Sequence, residues 1–187
     1  MLIGVYSPIH RIGKTRFALE LAEELSREAP VLYLNLEEYS GMEYCVPDKG
    51  KEHLGDLLYY VKQAPEFLGF RLSMMVSQLG GVDYVQPMPV AKDIREVREQ
   101  EWLELLEFLQ EKSIYRQIVL DIGDSVQGLF GILRACKIVY TPYIREPGAQ
   151  AKLRQYTENL LQMGYEDVME HTIQKEMTRN EIRGIGE

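Results

Sequence analysis

The sequence predicts a three-layer α/β fold with a mainly parallel sheet flanked by helices, and three observations carry that prediction. Short β-prone runs alternate with longer segments of helical periodicity along the 187 residues. The first 36 residues spell strand, loop, helix, strand, a βαβ unit and hence a parallel pair. No internal repeat, low-complexity tract or linker divides the chain, so residues 1–187 are expected to form one domain.

Leu2 to Tyr6 is an apolar strand that stops at Ser7-Pro8. From Lys14 a helix begins. Phe17, Ala18, Leu21, Ala22 and Leu25 fall on one face, and Arg16, Glu20, Glu23, Glu24 and Arg27 on the other. Pro30 ends it, and Val31 to Leu36 (VLYLNL) reads as a second, buried strand. Glu38 to Gly50, rich in glycine, proline and charge, reads as a loop. Leu54, Leu57, Leu58 and Val61 predict a helix ending before Pro65. Phe67 to Leu79 is ambiguous and is broken by Gly80-Gly81. Val82 to Gln86 is a third strand. Ile94, Val97, Trp102, Leu105, Leu106 and Leu109 mark one long amphipathic helix, and Ile118 to Leu120 form a central strand running into Asp121. A helix with Val126, Leu129, Phe130 and Leu133 follows, then a strand from Lys137 to Tyr140. A helix then carries Ala149, Leu153, Tyr156, Leu160 and Met163, and Glu166 to Thr172 is expected as a last strand.

The composition narrows the function classes. Lys and Arg total 21 against 29 Asp and Glu, a net charge of −8, which weighs against a protein built to grip a nucleic-acid backbone. Two cysteines, Cys45 and Cys136, without CxxC or Cys/His spacing, suit a reducing cytoplasm and argue against a zinc site or disulfide framework. Apolar runs fall far short of the ~20 residues of a membrane span, and Met1 leads into LIGVY without a signal-peptide pattern.

The chemistry concentrates in Ser7-Pro8-Ile9-His10-Arg11-Ile12-Gly13-Lys14-Thr15. Gly-Lys-Thr at a helix start, just after a buried strand, is the end of a phosphate-binding loop. Glycine lets backbone N–H groups approach phosphate, the helix N-terminus adds partial positive charge, and Lys14 adds a full one. The Thr15 hydroxyl is a hard oxygen of the kind that ligates Mg²⁺. Asp121, at the carboxyl end of a strand, lies where open α/β sheets bind ligands. Asp124 reads as a helix cap.

Pro8 stands where the strict pattern has its first glycine, and the segment resembles instead the deviant loop K-G-G-x-G-K-T of the ParA/MinD group of P-loop ATPases, a SIMIBI-type fold. VLYLNLEEYSG is similar to that group's second strand and switch I. IVLDIGDS, from Ile118 to Ser125, is similar to its Walker B strand and switch II. VYSP…GKT followed by LYLNLEEYSG looks most like the CpaE-like ATPases of pilus assembly and localisation, in which a receiver-like domain often precedes this one. The resemblance implies ATP or ADP with Mg²⁺, a homodimer, and a nucleotide-dependent positioning or assembly switch with a protein partner. Arg11, Ile12, Gly13, Lys14, Thr15 and Arg16 would hold the nucleotide. Thr15 and Asp121 would hold the metal, Asp121 through water, and Lys14, Glu37 and Asp121 would serve catalysis.

The departures are as specific. Ile9 replaces the lysine that crosses the family's dimer, His10 and Arg11 replace two glycines, and Asn35-Leu36-Glu37 replaces Asp-x-Asp. They support a rival reading, a non-hydrolysing scaffold of the same fold that works through protein contacts. A third reading is a small-molecule kinase or ligase of related topology. His10, His53 and His171 share no ligand spacing, and the tail after Met177 makes a poor membrane helix.

Overall fold

The computed structural model describes residues 1–41, 52–178 and 181. Its elements are β1 (Leu2–Val5), α1 (Lys14–Ser26), β2 (Val31–Leu36), α2 (Leu54–Gln63), a 3₁₀ turn at Pro65–Phe67 running into α3 (Leu68–Met75), β3 (Ser77–Leu79) and β4 (Val82–Tyr84). They continue with α4 (Ala91–Glu96), α5 (Glu99–Lys112), β5 (Gln117–Ile122), α6 (Leu129–Ala135), β6 (Ile138–Tyr143), α7 (Pro147–Gln162), α8 (Glu166–Glu170) and β7 (Thr172–Glu176).

The seven strands lie in the order β3-β4-β2-β5-β1-β6-β7, and every pairing is parallel except β3 with β4. Strands buried on both faces read as continuous apolar runs, and β1 and β2 are buried at every residue. Alternation divides their side chains between two cores. Leu2, Leu32, Leu34, Ile118 and Leu120 face α2, α3, α5, α6, α7 and α8, while Ile3, Val5, Tyr33 and Val119 face α1. The expected three-layer architecture is therefore present. α1 approaches the sheet through Ala18 and Ala22, both wholly buried, and α5 contributes Trp102, Leu105, Leu106 and Leu109 to the opposite core.

Several boundaries differ from the sequence expectation, each for a local reason. The long helix predicted from Ile94 to Leu109 is two helices. Val97 and Arg98 are extended, and the Arg98 N–H donates to Glu101 Oε2 at 2.8 Å, so Glu101 starts a new helix. The ambiguous stretch before Gly80-Gly81 contains β3. Both glycines have positive φ, 58° and 93°, the signature of a tight hairpin turn, and β3 folds back on β4. The last strand is Thr172–Glu176, not Glu166 to Thr172. Glu166 and Asp167 occupy the first turn of α8, which suits the positive end of a helix, and Val168 is buried. Val126 precedes α6, which begins only after Gly128. Cys45 lies outside the described residues. Cys136 is buried, which pushes its thiol up to about 12 and leaves it unreactive.

Candidate functional site

The loop between β1 and α1 is fastened before it turns. Ser7 Oγ donates to the Pro142 carbonyl at 2.7 Å and accepts from the Ile9 N–H at 3.1 Å. Ile9 and Ile12 are buried against Ala149 of α7, with Tyr143 and Ile144 alongside. Ile12 therefore offers only its backbone to a ligand. Arg11 adopts a left-handed conformation, φ 58°, rare for a residue with a side chain, and its side chain is exposed. Gly13 follows at φ 81° and turns the chain into α1, whose first internal bond runs from the Phe17 N–H to the Gly13 carbonyl at 2.9 Å. As in any α-helix, the first N–H groups, those of Lys14, Thr15 and Arg16, have no partner within the helix itself. A methyl at Gly13 would meet the Glu181 carbonyl oxygen at 3.2 Å, so the left-handed turn is also a close approach.

Lys14 is the centre of the site. Its ammonium pairs with Asp121 Oδ1 and lies 2.8 Å from Glu37 Oε1. Asp121 is wholly buried; its second oxygen accepts from the Tyr33 hydroxyl at 3.0 Å and from Asn35 Nδ2 at 3.2 Å. Tyr33 and Asn35 project from the same face of β2, and Asn35 lies in register with Asp121 on β5. Asn35 Oδ1 in turn accepts from the Glu37 N–H at 2.9 Å, fixing the start of the loop after β2. Burial draws the Lys14 ammonium down, but the carboxylates of Asp121 and Glu37 more than offset it, so its pKa is raised and it stays charged. Burial, reinforced by the charge of Asp121, raises Glu37 against the pull of Lys14. Burial and Asp121 also keep Tyr33 neutral.

These groups border a cavity of about 620 Å³ lined by Lys14, Thr15, Arg16, Glu37 and Asp124 among others, with the exposed Tyr39 at its mouth. The loops after β2 and β5 meet there. The Gly123 N–H donates to the Leu36 carbonyl, and a methyl on Gly123 would come within 3.1 Å of Glu37 Cα. Glu38 ties the same loops to α4, bonding Arg95 and Ser125.

Of the residues singled out from sequence, Arg11, Gly13, Lys14, Thr15, Arg16 and Glu37 line the cavity and Ile12 does not. Asp121 sits behind Lys14 and out of the cavity's lining. Asp124 is not a helix cap. α6 is preceded by Gly128, and Asp124 instead pairs with His10 Nε2 at 3.1 Å and accepts a hydrogen bond from Tyr6. His53 is the N-cap of α2, its ring accepting from the Gly55 N–H at 3.1 Å. Tyr33 and the Asn35–Asp121 bond went unseen in the sequence, because only sheet order brings β2 beside β5.

No family model matches the sequence, and no curated protein does. Solved structures do match in three dimensions. A ParA family ATPase from Chlorobium tepidum superimposes with a TM-score of 0.76 at 16% identity, over 94% of this chain and 72% of that one. A plasmid-partition-type protein of Borrelia burgdorferi B31 bound to AMPPNP gives 0.67 at 15%, over 97% and 87%. The MinC:MinD cell division complex of Aquifex aeolicus gives 0.70 at 12%, over 94% and 67%. The fold is that of the ParA and MinD P-loop proteins.

Proposed function

We propose that the chain binds a nucleoside triphosphate, ATP or its product ADP, with Mg²⁺, and acts as a nucleotide-dependent positioning or assembly switch. One observation carries the reading: Lys14, Thr15 and Arg16 at the N-terminus of α1 line a cavity of about 620 Å³ that Gly13 and Glu37 also border. The neighbour that shares this fold and holds AMPPNP supports it. Arg11, Gly13, Lys14, Thr15 and Arg16 are the proposed phosphate contacts, with Ile12 contributing backbone alone.

The donors fit Mg²⁺ rather than a softer or fully caged metal. Among the described residues no group of three or more His, Cys, Asp or Glu gathers to hold an ion. Mg²⁺ needs no such cage, since it takes one or two protein oxygens and completes its octahedron with phosphate and water. Thr15 Oγ1 and the Glu37 carboxylate, 3.5 Å apart, are those oxygens. Asp121, occupied by Lys14, Tyr33 and Asn35, supports the site from behind. When bound, the ion supplies charge neutralisation to the phosphates.

Binding would proceed by exchange. Lys14 now faces two carboxylates, and an incoming phosphate takes its place beside Glu37 while Asp121 keeps the ammonium charged and aimed. Release of Glu37, which leads directly into Glu38 and its bonds to Arg95 and Ser125, would transmit occupancy to the α4 surface where a protein partner can read it. A nucleotide-dependent homodimer is the proposed assembly, and a CpaE-like role in the cytoplasm the proposed setting. No helix of the described residues is long and apolar enough to cross a membrane. Ile9, packed against Ile12 and Ala149, takes no part across a dimer.

Titration of Mg-ATP into wild type and Lys14→Ala tests the reading. Loss of one charge-assisted phosphate contact, about 1.5–3 kcal/mol, weakens binding about 10- to 150-fold. Wild type that binds no Mg-ATP favours the scaffold reading, for which the full engagement of Lys14 by Asp121 and Glu37 speaks.

A further inference from the structure

Glu37 at the cavity and Asp121 behind it are already engaged. Asp121 holds Lys14, Tyr33 and Asn35, while Glu37 faces Lys14 and Thr15. His10 is differently placed. Its ring borders the same cavity as Lys14 and Thr15, and among the described residues its one polar contact is from Nε2 to Asp124 Oδ2 at 3.1 Å. Asp124 is held in turn by the buried Tyr6 hydroxyl. A carboxylate beside Nε2 favours the neutral tautomer that carries its proton there, and in that tautomer Nδ1 is the acceptor.

We propose that His10, oriented by the Tyr6–Asp124 pair, is the proton acceptor for water that attacks a terminal phosphate held at Lys14 and Thr15. The inference rests on the nucleotide reading above. A water lone pair forms the new P–O bond as the bond to the bridging oxygen breaks. That oxygen leaves with the electron pair on the diphosphate, beside Lys14. The water's proton passes to His10 Nδ1, giving an imidazolium paired with Asp124, and then leaves to solvent or to the phosphate released. The charged groups facing His10 are Asp124 after β5 (with Tyr6 of the β1 end behind it), Arg11 beside it in the loop, Lys14 and Arg16 of α1, and Glu37 after β2.

The test compares wild type with His10→Gln, His10→Ala and Asp124→Asn. It combines fluorescence titration with a mant-labelled ATP in Mg²⁺, phosphate release, and ¹⁵N NMR of the ligand-free His10 ring. The expected result is affinity within about threefold throughout and turnover down about 100-fold in His10→Gln. Added imidazole should restore turnover to His10→Ala, and the free wild-type ring should be protonated at Nε2. Unchanged turnover in His10→Gln, an Nδ1-protonated ring, or a wild type that binds Mg-ATP without releasing phosphate overturns the role of His10 and leaves nucleotide binding standing. A wild type that binds no Mg-ATP overturns the nucleotide reading itself.

Discussion

Asp121 is wholly buried, and among the described residues Lys14 is its one cationic partner. Removing one member of a buried pair leaves the other charge uncompensated, which typically costs 3–5 kcal/mol. Lys14→Met is therefore expected to lower unfolding free energy by about that amount in urea titration, and Lys14→Met/Asp121→Asn by clearly less. A double substitution no better than the single one would mean that Tyr33 and Asn35 suffice to hold the carboxylate. At this scale the gathering of Gly13, Lys14 and Thr15 at one cavity was legible in the sequence from a glycine-lysine-threonine run at a helix start, and that of Glu37 only from the resemblance of the segment after β2. The partners of Asp121 were not. Tyr33 and Asn35 meet it only through the parallel register of β2 on β5, 86 to 88 residues away in the chain.

The helices and strands show where periodicity stops being enough. Apolar spacing runs unbroken through Val97, so α4 and α5 read as one helix; the break lies in an extended Val97-Arg98 and a capping Glu101, which spacing does not record. The Gly80-Gly81 pair marked a turn, yet β3 is only three residues long and too short to show alternation. A further element depends on glycine. The Glu99 side chain lies over the start of α6, so that a methyl on Gly128 would fall 2.2 Å from Glu99 Cβ, at a position where φ is already +72°. Gly128→Ala is expected to destabilise by about 1–3 kcal/mol from backbone strain, with the clash in addition. Adding Glu99→Gly, which removes that Cβ, should recover the clash and leave the strain, and chemical denaturation of the two single variants and the double would separate the two.

For the molecule as a whole, neighbouring glutamates give acid opposite effects. Bonds from Arg95 and Ser125 hold Glu38 at about 2, below its ordinary 4.5. A depressed carboxylate adds stability that is complete above 4.5 and is lost as pH falls through about 2. Glu37 is raised by burial, so it takes up its proton more readily folded than unfolded and works the other way. Thermal melts at stepped pH should show Glu38→Gln flattening the fall in Tm between pH 4.5 and about 2; an unchanged slope would remove the Glu38–Arg95 bond from the acid response. The overall architecture was the most legible feature of all, since alternating strand and helix signals with a leading βαβ unit admit few topologies.

Sheet order also sets a timetable for folding. β1 is sandwiched between β5 and β6, and the Met1 ammonium donates to the carbonyl of Arg116, 115 residues on. During synthesis at about 5–20 residues per second, the first strand emerges roughly 6–23 s before its central neighbour exists. Until then α1 can cover only one face of it, since β2 takes its place on the far side of β5, and the loop bearing Lys14 has no Asp121 to set the lysine. The loop bearing Lys14 is thus made well before the strand that sets its lysine.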